Sequence, residues 1–186
     1  MQLYIKNMVC NRCIMAVRTE LEAIKASVKS IELGEVTIDG DLSVSQLQQL
    51  EESLTRLGFE IINDKRSRLI EQIKNEIIAL IHHSGEVLNQ NLSFWLSEKM
   101  HYDYTYLSNL FSDIEGTTIE KYYIAQRIEK VKELLVYDEM SLNEIADKMG
   151  YSSAAYLSSQ FKKITGFTPT HYKTIKETKR KKIDEL

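Results

Sequence analysis

Hydrophobic and polar residues follow two different periods in the first part of the chain, and each period predicts its own kind of element. Alternation in "QLYIK" puts Leu3 and Ile5 on one face of a strand, and the alternation changes phase at Gly34, as a tight hairpin or bulge requires. Apolar residues at helical spacing mark two helices, with these inward positions: Ile14, Val17, Leu21 and Ile24, then Leu47, Leu50, Leu54 and Leu57 after the capping box "SVSQ". With "FEII" as a closing strand, the order is β-α-β-β-α-β, which predicts two helices on one face of a four-stranded sheet.

From Lys65 onward the strand pattern is absent and the sequence predicts helices. "RSRLIEQIKNEIIALIHHS" is expected to be one helix that opens a second, all-α domain over residues 65–186, with these residues inward: Leu69, Ile73, Ile77, Leu80 and Ile81. "TTIE" at 117–120 and "SLNE" at 141–144 have the pattern of capping boxes. Thr168-Pro169 is expected to open the last helix, because proline fits the first helical position.

The predicted all-α domain contains an internal repeat. Met100 corresponds to Met149 at an offset of 49, and after one added residue these pairs correspond at an offset of 50: Leu107/Leu157, Phe111/Phe161, Ile114/Ile164, Gly116/Gly166 and Tyr122/Tyr172. Each copy has the pattern of a helix-turn-helix, over about 91–114 and about 141–164, and a linker helix over about 118–137 joins them. The core is expected to contain Leu107, Leu110, Phe111, Tyr122, Ile128, Val131, Leu134, Leu135, Ile145, Ala146, Met149, Leu157, Phe161, Phe167 and Tyr172.

Composition and charge change this picture in two ways. The chain of 186 residues has 43% hydrophobic and 27% charged residues, without an apolar run or N-terminal pattern typical of a membrane span or signal peptide. A cytoplasmic location is therefore expected, where a cysteine pair indicates metal binding or redox chemistry more than a structural disulfide. The basic segment "HYKTIKETKRKK" is either a solvated end or a contact to phosphate.

Residues from about 69 to 175 resemble the DNA-binding domain of the AraC/XylS transcription regulators. The resemblance depends on "YLSNLFSDIEGTTIEKYYIAQRIEKVKELL" and "SLNEIADKMGYSSAAYLSSQFKKITGFTPTHYK". It implies double-stranded DNA as the partner, with two recognition helices on one linker helix entering successive major grooves. Gly150 stands at the turn of the second motif, where φ is positive, and His101 stands at that turn in the first.

The resemblance also implies which residues face the bases. They are Thr105, Ser108 and Asn109 on the first recognition helix, and Ala154, Ala155, Ser158 and Ser159 on the second. Arginine and lysine are absent from this set, so the bidentate contact to guanine is missing, and we expect modest affinity with A·T-leaning recognition. Lys162, Lys163 and Lys173 are the expected phosphate contacts.

The segment "MVCNRC" at 8–13 contains both cysteines and follows the first predicted strand directly. Together with the β-α-β-β-α-β order and "LGFEI" before the last strand, it makes residues 1–64 resemble the heavy-metal-associated domain, a ferredoxin-like α+β fold, of copper chaperones and metal-pumping ATPases. The resemblance implies Cys10 and Cys13 as metal ligands, with Met8 in the core and Phe59 over the loop as support. Asn7 stands where that family usually has glycine.

Two thiolates with few other donors suit Cu(I), whereas Zn(II) or Hg(II) needs further ligands from a second protomer or another protein. Cys13 is predicted in the first turn of a helix, where the helix dipole favours thiolate, and Arg12 adds positive charge. Two other interpretations stay open: the pair is a thiol redox sensor, or it is vestigial in a domain used for contact.

The combined prediction is a cytoplasmic bacterial transcription regulator, with RNA polymerase or a second protomer as further partners. Metal or thiol state at Cys10 and Cys13 would bias its DNA binding, with the helix at 65–84 as the relay. One alternative is a metal chaperone or buffer whose helical half docks protein instead of DNA. A thiol oxidoreductase is disfavoured, since the sequence has no visibly placed His or carboxylate and no other catalytic motif, so an enzyme is not expected.

Overall fold

The computed structural model describes residues 1–85, 87–88 and 90–179. Side chains are described as far as Ile175, so the rest of the predicted basic segment lies outside the described side chains. The chain divides into two compact units, Met1–Ile78 and Ala79–Leu186. Across the described ranges, no helix combines the length and apolar character needed to cross a membrane.

The first unit has the predicted order of strands and helices, followed by one more helix. Its elements are β1 (Gln2–Lys6), α1 (Asn11–Ala23), β2 (Val28–Glu32), β3 (Glu35–Ile38), α2 (Val44–Arg56), β4 (Glu60–Ile62) and α3 (Lys65–Ile78). The four strands form one sheet in the order β2-β3-β1-β4, and each neighbouring pair is antiparallel. Strand β1 is therefore central, and its C-terminal end leads directly into the cysteine segment.

The core of this unit lies between the sheet and the two predicted helices. It contains the inward residues of the strands and helices: Leu3, Ile5, Val36, Ile38, Val17, Leu21, Leu50 and Leu54. The capping box at Ser43 is confirmed, with Gln46 as its partner residue. The prediction for Leu57 is wrong: it is 49% exposed, because α2 ends at Arg56 and Leu57 forms the C-cap outside the buried stripe.

Helix α3 belongs to the first unit, although the sequence predicted that it would open the second domain. The guanidinium of Arg68 lies over the Tyr4 ring at 4.4 Å, and Asn75 Nδ2 donates to the Leu33 carbonyl oxygen at 2.9 Å. Tyr4 alternates with Leu3 and Ile5 along β1, so α3 covers the sheet face opposite to α1 and α2. The boundary therefore follows Ile78 and not residue 64.

The predicted helix also does not continue as an α-helix to Ser84. It changes at Ala79 into a π-helical segment, Ala79–His83, that belongs to the second unit. Leu80 and Ile81 lie in this segment and are only half-buried, so among the predicted inward residues Leu69, Ile73 and Ile77 are buried.

The second unit is helical and contains both copies of the repeat. After the π-helical segment come α4 (Leu92–Met100), α5 (Tyr104–Glu115), α6 (Ile119–Tyr137), α7 (Leu142–Lys148), α8 (Ala154–Thr165) and α9 (Pro169–Lys179). Helix α6 is one continuous α-helix, as predicted for the linker, and α9 begins at the predicted proline.

The two copies pack their aromatic residues in the same way. The rings of Phe111 and Tyr122 lie 5.7 Å apart in the first copy, and those of Phe161 and Tyr172 lie 5.5 Å apart in the second. The prediction for Phe167 is wrong: it is 44% exposed in the loop after α8, and its ring lies 5.5 Å from His171 instead of in the core.

The two predicted helix caps of this unit have different outcomes. The capping box of Ser141 and Glu144 at the start of α7 is confirmed. At the start of α6, however, Thr118 is the cap and accepts from the backbone N–H of Lys121, so the predicted box at 117–120 is wrong. The Glu120 carboxylate instead accepts a hydrogen bond from the Tyr104 hydroxyl.

Candidate nucleic-acid interface and thiol site

The two thiols lie at the junction between β1 and α1. Cys10 has an extended backbone and is the N-cap residue of α1, and Cys13 lies in the first turn. Their Sγ atoms are 3.6 Å apart and both side chains are half-buried. The thiols are therefore already in contact, close enough to share one ion or to be oxidised together.

The start of α1 favours the thiolate form of Cys10. The backbone N–H of Cys13 faces the Cys10 sulfur, without completing a cap hydrogen bond, and lowers the pKa of its thiol. Burial raises this pKa, but the Cys13 thiol, the Arg12 N–H and the Arg12 charge lower it further, and the net pKa of Cys10 lies below its ordinary value.

Three residues around the thiols hold the segment in place. Met8 is 1% exposed and Phe59 is 8% exposed, and both belong to the core cluster against which Cys13 packs. Asn7 has φ of +71° and donates from Nδ2 to the Gly58 carbonyl oxygen at 2.9 Å. Asparagine tolerates this left-handed conformation better than most residues, which explains physically how it stands where glycine was expected.

The donor set around the thiols is small. Among the described residues, no group of three or more His, Cys, Asp or Glu side chains lies close enough together to hold a metal ion. The pair therefore fits a soft ion of low coordination number, whereas tetrahedral Zn(II) would need ligands from another molecule.

A carboxylate connects the thiol segment to α3. The backbone N–H of Asn7 donates to Glu71 Oε2 at 3.5 Å, a long hydrogen bond. Glu71 is 7% exposed, and its other oxygen lies 3.1 Å from Lys74 Nζ. The role of Glu71 could not be predicted from the sequence, because a helical pattern does not indicate which backbone N–H group its carboxylate will bind.

In the second unit, each recognition helix begins with the same type of turn and cap. His101 has φ of +56° and Gly150 has φ of +66°, which confirms the predicted left-handed conformation at both turns. The Asp103 side chain accepts from the backbone N–H of Thr105 at 2.8 Å, and the Ser153 side chain accepts from that of Tyr156 at 3.1 Å. The two helices α5 and α8 thus begin in corresponding positions.

The predicted base-facing residues have matching exposure in the two copies. Thr105, Asn109, Ala155 and Ser159 are exposed, whereas Ser108, Ser158 and Ala154 are half-buried. Their spacing puts each set along one side of its helix. The remaining helix face is buried, through Leu107 and Phe111 in α5 and through Leu157 and Phe161 in α8.

The three predicted phosphate contacts differ in their surroundings. Lys162 and Lys163 are exposed in the last turn of α8, and within the described residues neither side chain pairs with a carboxylate. Lys173 is half-buried on α9 and forms an ion pair with Asp138, the C-cap residue of α6. Lys173 is therefore less available to DNA than the other two.

A tyrosine and a glutamate join the first recognition helix to α6. Burial raises the pKa of Tyr104, and the hydrogen bond that its hydroxyl donates to Glu120 raises it further. For Glu120, burial raises the pKa, but the hydrogen bonds from Tyr104, its own backbone and Thr118 outweigh it, so the pKa is lowered. The second copy has Ala154 and Thr170 at these positions and lacks the pair.

Comparison with known proteins shows which family model and which solved structures the second unit resembles. Residues 96–175 match the family model described as "Helix-turn-helix domain". The fold is similar to the C-terminal domain of AraT, a response regulator from Geobacillus stearothermophilus, at 25% identity and a TM-score of 0.52, covering 60% of this chain and 88% of that one. It is also similar to an AraC-type DNA-binding regulator from Chromobacterium violaceum, at 21% identity and a TM-score of 0.50, covering 59% and 96%. Residues 96–175 of the second unit are a helix-turn-helix domain.

Curated relatives match part of this chain and are much longer than the matched part. The chain is 27% identical over 117 residues to an uncharacterized HTH-type transcriptional regulator, YtdP, of Bacillus subtilis, a match that covers 63% of this chain and 15% of the relative. The chain covers 15% of the length of this relative, 39% of the transcriptional regulatory protein YesN of Bacillus subtilis and 18% of the xylose operon regulatory protein of Escherichia coli.

Within the helix-turn-helix domain, an arginine of the linker helix holds the second motif. Arg127 donates from Nη2 to the Met149 carbonyl oxygen, and its guanidinium lies 3.9 Å from the Tyr151 ring and 5.5 Å from the Tyr123 ring. Sequence reasoning missed this residue, since a charge on a linker helix normally indicates a solvated face. Its position directly before the buried Ile128 was the available signal.

The turn of the second motif of the helix-turn-helix domain is also packed against the segment before α4. A Cβ atom at Gly150 would lie 2.5 Å from Val87 Cγ1, whereas a Cβ atom at Gly116 would meet nothing within 4 Å. Gly150 is thus favoured by its positive φ, which His101 also adopts in the first motif, and in addition by the close approach of Val87.

Proposed function

We propose that the protein is a bacterial DNA-binding transcription regulator of AraC type, acting in the cytoplasm by binding and not by catalysis. The observation that supports this best is the matched pair of recognition helices, capped alike and exposing equivalent residues. Two such helices on one continuous linker helix suit successive major grooves of double-stranded DNA.

The proposed base contacts are those named from the sequence. Asn109 would pair with adenine, and Ala154 and Ala155 would meet thymine methyl groups, giving A·T-leaning recognition. Serine and threonine hydroxyls at Thr105, Ser108, Ser158 and Ser159 would accept or donate to either kind of base pair. Lys162 and Lys163 would contact phosphate.

Duplex binding tests this part. Binding of the full chain to labelled DNA duplexes is expected to weaken steeply as salt rises, because phosphate contacts release counterions. Selection from a random duplex library is expected to enrich A·T-rich sites. A chain that binds no duplex at any salt concentration would show that the DNA-binding proposal is wrong.

We further propose that the first unit binds a soft metal ion, Cu(I) above Zn(II), through Cys10 and Cys13. Support comes from the 3.6 Å separation of the sulfur atoms and from the lowered pKa of the Cys10 thiol, which favours the metal-binding thiolate. Thiol oxidation to a disulfide is the second candidate, and the same contact between the sulfur atoms supports it.

The proposed regulation is thermodynamic linkage between the thiols and DNA binding. The Asn7 N–H bonds to Glu71 on α3, and α3 ends at Ile78, where the π-helical segment of the next unit begins. An ion that binds one arrangement of this path better than another shifts the population towards that arrangement. By linkage, the ion then changes DNA affinity by the same factor by which DNA changes the affinity for the ion. RNA polymerase or a second protomer would be a further partner of the DNA-bound form.

Metal analysis and titration test the regulation. Protein purified under reducing conditions is expected to contain or take up Cu(I), and the variant Cys10→Ser/Cys13→Ser is expected not to. Affinity for a duplex site selected from the random library should then change with Cu(I) in the wild type alone. Equal affinity with and without metal, and with reduced and oxidised thiols, would remove the coupling.

One observation favours a different function, a metal chaperone or buffer whose helical half docks protein. The base-facing set lacks arginine and lysine, the residues that contact guanine most often. Salt-sensitive duplex binding would count against this alternative, whereas metal transfer to another protein without any DNA affinity would support it.

A further inference from the structure

The two recognition helices have the same shape but opposite charge. Helix α5 contains Asp113 and Glu115 and no lysine or arginine, so it carries a net charge of −2. Helix α8 contains Lys162 and Lys163 and no acidic residue, so it carries a net charge of +2. This contrast lies on helices with equivalent caps and matching burial, so it is a difference of side chains and not of fold.

The charged residues occupy corresponding positions. At the offset of 50, Ser112 corresponds to Lys162 and Asp113 corresponds to Lys163. Lys162 lies seven residues after Ala155, two turns along the same helix face, and so continues the predicted base-facing side of α8. On α5 the same place has a hydroxyl, followed by an exposed carboxylate.

We propose that the two motifs bind DNA unequally: α8 supplies the phosphate contacts that hold the domain on the duplex, and α5 supplies few or none. Phosphate attracts the two lysines, which are exposed and, within the described residues, unpaired. Asp113 would instead face phosphate with a like charge, which disfavours close approach. Lys173 lies on α9, after the second motif, and its charge is paired with Asp138, so it is not counted among these phosphate contacts.

This inference rests on the proposed DNA binding and names which motif provides its salt-dependent part. In a DNA site for this protein, one half would then be bound by α8 through phosphate contacts. Its other half would be recognised by α5 mainly through base edges and shape. Because the phosphate contribution does not depend on sequence, a mixed-sequence duplex measures it directly.

Exchanging the residues of the two motifs tests the inference. Binding of the full chain to one labelled mixed-sequence duplex is measured over a salt series for the wild type, for Lys162→Ser/Lys163→Asp and for Ser112→Lys/Asp113→Lys. Each phosphate contact contributes about 0.9 to the slope of log affinity against log salt. The salt slope of the α8 variant is expected to be shallower than that of the wild type by about 1.8. The slope of the α5 variant is expected to be steeper by up to the same amount.

Control variants separate contact from net charge and from folding. Lys162→Arg/Lys163→Arg keeps the charge and should keep the slope. Arg18→Gln/Arg56→Glu makes the same total charge change as the α8 variant, on exposed residues of the first unit, and should leave the slope close to the wild type. Trp95 fluorescence checks that the second unit of each variant is folded.

The outcomes distinguish this inference from the proposed function. A folded α8 variant that keeps the wild-type slope, or loses no more than the Arg18/Arg56 control, overturns the inference and leaves DNA binding intact. A wild-type chain that binds no duplex overturns both.

Discussion

Val87 occupies the space that a side chain at Gly150 would need: a Cβ atom there would lie 2.5 Å from Val87 Cγ1. The same turn in the first motif has His101, a residue with a full side chain at almost the same φ. The two turns therefore share a backbone conformation and differ in what surrounds it, and this difference can be measured.

Replacing Gly150 by alanine is expected to destabilise the second unit more than replacing Gly116. Gly116→Ala should cost about 1–2 kcal/mol from the left-handed conformation alone, because space around it is open. Gly150→Ala should cost about 1–3 kcal/mol more, since Val87 must move. Denaturant unfolding followed by Trp95 fluorescence measures both, and Val87→Ala should remove the extra cost. Equal costs for the two glycines would contradict the role of Val87.

Removing the hydroxyl of Tyr104 is expected to weaken the first motif in a pH-dependent way. Tyr104→Phe should cost roughly 0.5–1 kcal/mol at neutral pH, because Glu120 loses a hydrogen bond at a partly exposed site. The folded pKa of Glu120 lies below its ordinary 4.5. The stabilisation is therefore present above that ordinary value and lost as pH falls through the folded pKa.

Unfolding of wild type and Tyr104→Phe between pH 7 and pH 3 checks this expectation, and the difference should shrink towards the acid end. Tyr106→Phe is the matched control, because Tyr106 is 49% exposed and stacks on Tyr102 through its ring. A difference that is constant with pH would show that the cost arises from packing.

Changing Asn7 is expected to loosen the thiol segment. Asn7→Val should destabilise the first unit by about 1–2 kcal/mol, because a branched side chain fits φ of +71° poorly. Asn7→Gly keeps this conformation but loses the hydrogen bond to Gly58, so it should cost less. The rate at which a thiol reagent labels Cys10 and Cys13 in denaturant reports unfolding of this unit. An order in which glycine is the worse substitution would contradict the role of the backbone conformation.

Replacing Arg127 by lysine is expected to weaken the second motif although the charge is kept. Lysine has a compact ammonium group instead of a planar guanidinium. It therefore reproduces neither the stack on the Tyr151 ring nor the hydrogen bond to the Met149 carbonyl oxygen. We expect a loss of about 1–2 kcal/mol in unfolding free energy together with weaker duplex binding. Lys130→Arg, on the next turn of α6 and paired with Glu133, is the control and should change neither. An unchanged Arg127→Lys protein would show that charge alone suffices.

Glu71→Gln is expected to separate the thiol site from DNA binding. The amide keeps the size of the side chain but loses the charge that accepts from Asn7 and pairs with Lys74. Metal binding measured directly should persist, whereas the change of duplex affinity with metal should fall. Glu52→Gln, exposed on α2, is the control. If the metal effect on affinity survives in Glu71→Gln, the coupling runs elsewhere.

Local patterns predicted what depends on neighbouring residues. The strand and helix order of the first unit, the repeat with its paired Phe111/Tyr122 and Phe161/Tyr172, and the left-handed turn at His101 all follow from short-range spacing. Each of these features is decided within a few residues, where side-chain size, capping and backbone preference act.

The errors arise where distant residues decide the outcome. Glu120 was expected to close a capping box, but Tyr104 engages its carboxylate from another helix. Helix α3 was assigned to the second domain because its apolar stripe does not say which partner it covers, and contacts with Tyr4 and Leu33 decide that. For the site, the spacing of Cys10 and Cys13 was enough to predict that they lie close together. The contacts of Glu71 and Arg127 depend on tertiary packing, so they could not be predicted from local spacing.

The position of α3 has a practical consequence for anyone who separates the two halves. A fragment that stops at residue 64 would remove the helix that covers Tyr4, and a fragment that starts at residue 65 would present a hydrophobic helix without its sheet. Truncation after Ile78 keeps the sheet sandwiched on both sides. Studied that way, each half can be expressed with its own core complete.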